Sequence, residues 1–168
     1  MEPFLDVIIE DNRWEAVALG PLAIRAAEAT LAGLGLAPTE FCACLMACDD
    51  ARIAELNGMF RSNGKPTNVL SWPSEERGAE RDGGIPYPPV GGTADDPESL
   101  GDIALAYETC VREAETANKP LADHVTHLVI HGVLHLLGYD HVRDLDGDLM
   151  ESIEVRTLAN LGLCDPYS

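Results

Sequence analysis

Hydrophobic and polar residues follow two different periods in the first half of the chain, which predicts strands separated by helices. Residues 4–10, FLDVIIE, have the β-branched and aromatic content of a first strand. Residues 21–36 repeat apolar side chains at helical spacing. Residues 40–47 are apolar on both alternating faces, which predicts a second strand covered on both sides. A helix over residues 51–60 follows, with an aspartate as its cap.

The second half of the chain begins with strands and ends with helices only. Residues 67–72, TNVLSW, and residues 101–107, GDIALAY, predict the third and fourth strands. Residues 74–100 between them are rich in Gly and Pro and predict a long mobile loop. Helices are predicted over residues 108–118, 121–137 and 144–161. The order β-α-β-α-β-β-α-α-α predicts an α+β fold in which helices cover a small mixed β-sheet.

Size and charge narrow the class of protein. The 168 residues suit one domain, residues 1–168, that buries a single core. The chain carries 29 acidic and 11 basic residues, so its formal net charge is −18. Such a surface repels polyanions, which argues against a general nucleic-acid coat protein. Any contact with RNA would need a local basic patch or a metal ion.

The sequence also predicts a reducing, cytoplasmic environment. No run of about 20 apolar residues is present, and residues 1–10 lack the basic start of a signal peptide. The five cysteines are odd in number and form no CxxC pair. We therefore interpret them as free thiols that act as small buried hydrophobic residues, with a redox or metal role as the alternative.

All five histidines lie between His124 and His141. On a helix that turns by about 100° per residue, the first four fall within about 80° of one another. His131 and His135 are one turn apart, so both side chains can converge on one ion. Gly138 suits the position after the helix end, where the backbone needs a positive φ, so the chain can reverse and supply His141.

Three imidazoles with one open coordination position describe a catalytic zinc site, which predicts one Zn²⁺ per chain bound by His131, His135 and His141. Structural zinc usually takes four protein ligands, often cysteines, and no cysteine lies near this segment in the sequence. His124 and His127 are interpreted as hydrogen-bond partners of the ligands, as substrate contacts, or as ordinary core or surface histidines.

The spacing HxxxHxxGxxH equals that of the metzincin proteases, whose motif is HExxHxxGxxH. In those enzymes the Glu after the first His is the general base. This chain has Gly132 at that position, and glycine cannot transfer a proton. The sequence therefore disfavours peptidase chemistry by the usual route.

The segment HGVLHLLGYDH, residues 131–141, resembles the signature of the YbeY family of metal-dependent endoribonucleases. Residues 61–73, RSNGKPTNVLSWP, resemble the family's basic turn and strand, with Trp72 where the family usually has Phe. Residues 101–103, GDI, resemble a further strand of the family. The similarity extends from about Leu5 to the final helix.

This resemblance implies a zincin-like fold, zinc bound by three histidines, and single-strand-specific RNA cleavage in ribosomal RNA maturation and small-subunit quality control. It also implies partners: ribosomal RNA or its precursor, the small ribosomal subunit and its proteins, but neither DNA nor a membrane. The chain departs from the family pattern in its longer loop over residues 74–100 and in its strongly acidic balance.

Arg61 and Lys65 are the cations of the segment that resembles the family's basic turn. Phosphodiester cleavage concentrates negative charge on the non-bridging oxygens, and a nearby cation stabilises that charge in the transition state. The resemblance therefore implies that Arg61 is catalytic and that Lys65 positions a phosphate.

Four further polar residues are candidates from their places in the sequence. Asp102, at a strand start, and Asp140, beside a predicted ligand, either orient a histidine or a water molecule or serve as turn and capping residues. Asn68 and Ser71 either line the substrate groove or are ordinary polar residues of a strand.

Two other classes of function stay open at this stage. A zinc peptidase or amidase is the first, although it would lack the usual glutamate. A non-catalytic ribosome-assembly factor is the second, with structural zinc holding the last helices together. The acidic surface would suit basic ribosomal proteins, which favours this second alternative.

Overall fold

The computed structural model describes residues 2–61 and 67–168, with side chains described up to residue 58 and again from residue 67. Its sheet has four strands: β1 (Leu5–Ile9), β2 (Phe41–Cys48), β3 (Val69–Pro73) and β4 (Glu98–Ala106). Their order in the sheet is β1-β2-β4-β3. The first two pairs are parallel and β3 is antiparallel to β4, so the predicted mixed sheet is confirmed.

Helices account for most of the rest of the described chain. Their bounds are α1 (Leu19–Gly33), α2 (Asp50–Arg61), α3 (Tyr107–Thr116), α4 (Leu121–Leu136) and α5 (Asp144–Asn160). The α+β prediction is therefore confirmed, with element ends within a few residues of those expected. None of the helices in the described ranges combines the length and apolar character needed to cross a bilayer.

A short 3₁₀ helix, Asn12–Val17, was not predicted from the sequence. Its Trp14 is fully buried, and the indole Nε1 donates a hydrogen bond to the backbone carbonyl of Cys48 at 2.9 Å. The Trp14 ring meets Tyr107 edge-on, with centroids 5.1 Å apart. Through Trp14, the start of α3 is thus joined to the end of β2.

Both faces of the sheet are covered, but not equally. The main core lies on the face packed against α1 and α4, and a smaller apolar cluster lies under α2 on the other face. The β2 residues facing the main core are fully buried, whereas Cys42 and Cys44 are only partly buried. All five cysteines are free thiols, and burial raises the pKa of Cys48 to about 12, which keeps that thiol protonated.

Helix α4 lies unusually close to the sheet at Gly132. A Cβ atom at this position would come within 3.2 Å of two Ile103 side-chain carbons and within 3.4 Å of Ser71 Oγ. Glycine is therefore the residue that lets the helix backbone approach β4 and the edge strand β3. This approach places the histidines of α4 beside the exposed end of β3.

Residues 74–97 connect β3 to β4 without regular secondary structure, and the first part of this segment is anchored. The Arg77 side chain is 5% exposed, and its guanidinium donates to the backbone carbonyl of Leu136 at the end of α4, at 3.3 Å. Arg143 donates to the carbonyls of Ala79 and Glu80 at 2.7 and 2.9 Å. The first part of the loop is thus bonded both to the end of α4 and to the residue that precedes α5.

We expect limited proteolysis to distinguish the two arginines of this loop. Trypsin should cut after Arg81, whose side chain is exposed, well before it cuts after Arg77, whose guanidinium is buried. Mass spectrometry of the first fragments checks this order, with Arg81→Gln as the control that removes the fast site. Rapid cleavage after Arg77 in that variant would show that the first part of the loop is not anchored in solution.

Candidate metal centre

His131 and His135 lie one turn apart on α4 and face each other. Their Nε2 atoms are 3.0 Å apart, and their ring centroids are separated by 4.5 Å. Both side chains are partly buried at the mouth of a cleft beside β3. The helix alone therefore brings two imidazole nitrogens to one point, as the sequence spacing predicted.

The third histidine reaches the same point because the chain reverses at Gly138. The Gly138 φ is +100°, and a Cβ there would lie 2.7 Å from the backbone of Arg77, so a side chain is excluded. The amides of Gly138 and Tyr139 donate to carbonyls of the last turn of α4 and close the helix end. The His141 ring then lies 5.2 and 5.1 Å from the rings of His131 and His135, measured between centroids.

The three histidines offer one nitrogen each within a single small space. These nitrogens all lie within 4.8 Å of one another, and they form the group among the described residues that could hold a metal ion. Tetrahedral zinc with Zn–N bonds of about 2.0–2.1 Å needs nitrogens roughly 3.4 Å apart. The group is therefore close to the spacing that one shared ion requires, and the exposed His141 has room to adjust.

Hydrogen bonds fix which nitrogen of each α4 histidine is available. His131 Nδ1 lies 2.6 Å from Glu154 Oε2, and His135 Nδ1 lies 3.0 Å from the Tyr139 carbonyl oxygen. A carboxylate and a carbonyl can only accept, so each Nδ1 carries the proton. In the neutral rings the Nε2 lone pairs then face each other, an arrangement that a cation between them stabilises.

The His135 ring is held in the neutral form that binds metals. Burial, together with the neighbouring His131 and His141, lowers the pKa of His135 to about 4. A neutral imidazole with a fixed tautomer is ready to donate its lone pair at pH 7. Three imidazole donors with no thiolate fit the donor set of a catalytic zinc ion.

Glu154 on α5 is a residue of this site that the sequence analysis missed. Its carboxylate is fully buried and accepts hydrogen bonds from His131, His127 and Tyr167. Burial alone would raise the pKa of Glu154, but these three donors lower it to about 2, so the group is ionised. One signal was present in the sequence: Glu154 stands one turn from Met150 and Leu158 on the apolar face of α5.

The cleft beside the histidines has a volume of about 1060 Å³. Besides the three histidines, three further residues that the sequence nominated line it, namely Asn68, Ser71 and Asp140. Ser71 also lies over α4, with its hydroxyl 3.4 Å from the Gly132 carbonyl oxygen. Asp140 accepts a hydrogen bond from the backbone amide of His141 at 2.7 Å, so it fixes the backbone of a ligand.

Other nominated residues lie away from the cleft. Asp102 is exposed and shares the face of β4 that carries Ala104 under α2, so it does not meet the histidines. His124 Nε2 bonds to Glu113 at 2.9 Å, and the same carboxylate oxygen holds Asn68 Nδ2. Direct substrate contact by His124 is therefore unsupported, and its link to the cleft is indirect.

His127 does not line the cleft either, because its ring is turned toward Glu154. Its hydrogen-bond partners are Glu154 and Tyr167, so its hydrogen bonds reach the ligand His131 only through Glu154, and the structure gives no support to substrate contact. The Arg61 side chain and Lys65 lie outside the described residues, so their predicted roles stay predictions.

Comparison with known proteins identifies the relatives of this chain. The sequence model of the family described as "Endoribonuclease YbeY" matches residues 14–162. The chain is 63% identical to the Endoribonuclease YbeY of Cereibacter sphaeroides over 99% of this chain and 100% of that protein. It is 57% identical to the Endoribonuclease YbeY of Ruegeria pomeroyi, with 98% of each chain covered.

The fold also has a counterpart among solved structures. The solution structure of TM1509 from Thermotoga maritima matches with a TM-score of 0.54 and 20% sequence identity. The match covers 94% of this chain and 91% of that one. At this identity the likeness supports the fold and says nothing further about the site.

Proposed function

The chain belongs to the Endoribonuclease YbeY family, and from this premise we propose that it is a zinc-dependent endoribonuclease that cleaves single-stranded RNA. Its roles in the cell would be ribosomal RNA maturation and quality control of the small ribosomal subunit, in the cytoplasm. The observation that carries the zinc part of the proposal is the convergence of His131, His135 and His141, with two tautomers already fixed.

In this proposal each group of the site has a distinct task. His131, His135 and His141 would hold the zinc ion, while Glu154 and the Tyr139 carbonyl orient two of the rings. When bound, zinc supplies a Lewis acid for a phosphoryl oxygen and lowers the pKa of a water to near 7. Asn68 and Ser71, which line the cleft, would contact the RNA strand there.

The charge of the cleft explains why further cations are needed. Among the described lining residues are four acids, Glu75, Glu76, Asp140 and Asp146, and two arginines. Both arginines already donate to backbone carbonyls, so their guanidinium groups are engaged in holding the loop. Phosphate recognition therefore falls to Arg61 and Lys65, which we propose as the catalytic cation and the phosphate positioner.

The acidic surface also limits the kind of RNA that binds. A protein with a net charge of −18 neutralises few phosphates, so affinity for bare RNA should be weak and depend little on salt. We propose that selectivity comes from a structured ribosomal particle or from its basic proteins. Contacts with the particle would then direct a protein that binds RNA weakly to one cleavage site.

The test compares three substrates with the same metal-loaded preparation. We expect cleavage of single-stranded RNA, loss of that cleavage with a chelator, and no cleavage of the DNA of identical sequence. Casein is the third substrate, and chelator-sensitive casein cleavage would revive the peptidase alternative. Stable binding to purified small subunits without any RNA cleavage would favour the assembly-factor alternative.

A further inference from the structure

The segment that follows α5 folds back onto the metal centre. After α5 the chain turns at Gly162, whose φ is +81°, and residues 163–168 run back toward the middle of α4. The Tyr167 ring packs edge-on against His127, with centroids 5.5 Å apart. Its hydroxyl makes a short hydrogen bond to Glu154 Oε1, although much of the ring remains exposed.

The two oxygens of Glu154 divide their partners between them. Oε2 accepts from Nδ1 of the ligand His131 at 2.6 Å. Oε1 accepts from Tyr167, and His127 Nε2 lies 3.2 Å from both Oε1 and the Tyr167 hydroxyl oxygen. A buried carboxylate is costly unless its lone pairs are satisfied, and these bonds also fix the rotation of the group. One oxygen therefore orients the ligand while the other is anchored by two different elements.

We propose that Tyr167 and His127 are positioning residues of the metal centre, acting on His131 through Glu154. The inference rests on the proposed metal site and adds a task for the segment after α5. Neither residue reaches the three ligand nitrogens itself. Removing the Tyr167 hydroxyl would leave Oε1 with one donor and free the carboxylate to turn, so that Oε2 would no longer hold the His131 ring.

The test measures metal affinity in addition to activity. We expect Tyr167→Phe to weaken zinc affinity by about tenfold in a chelator competition, the lower end of the effect of removing an outer partner of a ligand. The cobalt-loaded variant should show a shifted visible absorption spectrum. Tyr87→Phe is the matched control, because it removes a tyrosine hydroxyl bound to the exposed Glu80 carboxylate.

Substitutions at His127 provide a second line of evidence. His127→Leu should weaken zinc affinity, and His127→Gln should recover part of that loss because its amide can still donate to Oε1. Adding His127→Leu to Tyr167→Phe should weaken affinity more than either change alone. A series in which Gln and Leu at position 127 behave alike would overturn the hydrogen-bonding role of His127.

Melting curves of the metal-free proteins separate positioning from folding. We expect the metal-free Tyr167→Phe protein to melt near the wild-type temperature. Wild-type zinc affinity in that variant, or a loss of affinity matched by an equal loss of apo-protein stability, would overturn the inference alone. A wild-type protein that binds neither zinc nor cobalt would overturn the proposed metal site as well.

Discussion

Replacing His135 with alanine should remove the metal and abolish RNA cleavage. His135 is partly buried and its Nδ1 bonds to the Tyr139 carbonyl, so Nε2 faces the cluster, and the two remaining imidazoles would bind an ion poorly. A bound metal contributes several kcal/mol to stabilising the transition state, and about 1.4 kcal/mol is a factor of ten in rate. We therefore expect the cleavage rate to fall by about 10³-fold or more, together with zinc content measured by elemental analysis.

A suitable control for metal content is His124→Gln, which removes another histidine from the same helix. Its ring bonds to Glu113 and lies outside the cluster, so the zinc stoichiometry should stay near one. Cys48→Ala should likewise leave zinc content unchanged, since Cys48 bonds to the Leu105 carbonyl in the sheet. Full zinc stoichiometry in a His131→Ala/His135→Ala double variant would refute the site.

Arg61→Ala should retain zinc and a near-normal melting temperature but lose about 10²–10³ in cleavage rate, the usual scale for one transition-state donor. The helix α2 ends at Arg61 and the sequence continues with Ser62-Asn63-Gly64, a composition typical of a turn. A residue at such a place contributes little to stability. Arg61→Lys should recover only part of the rate, because lysine lacks the bidentate geometry of a guanidinium.

Three measurements on the same preparations decide this prediction: zinc content, thermal melting and single-turnover RNA cleavage. Arg25→Ala is the matched control, since it removes an exposed arginine of α1 far along the chain from the cleft residues. A wild-type rate for Arg61→Ala would exclude Arg61 from the mechanism and leave the metal as the electrophile. Loss of zinc in that variant would indicate a structural role instead.

Features that depend on local geometry could be predicted from the sequence. Hydrophobic periodicity identified the strands and helices because each element must present an apolar face to the core. The three-histidine cluster could also be predicted, because helical spacing joins His131 to His135 and one glycine turn adds His141. Neither prediction needed any knowledge of how distant segments pack.

Features that depend on long-range packing could not be predicted. Glu154 reaches His131 only because α5 packs beside α4, and Arg77 reaches Leu136 only because the loop folds back. The orientation of the Asp102 side chain could not be predicted from the sequence for a different reason. The β4 strand is apolar on both faces, since both are covered, so its residue pattern does not indicate which face meets α4.

The close approach of α4 to the sheet at Gly132 restricts what this scaffold can evolve into. A peptidase would need a glutamate at this position, but the first carbon of that side chain already meets Ile103 and Ser71. Either these side chains or α4, which carries the histidines, would have to shift by a few tenths of an ångström to admit that carbon. Gaining such a base would therefore carry a packing cost at the contact between α4 and the sheet. The two activities are thus separated by a packing cost at Gly132 as well as by the missing base.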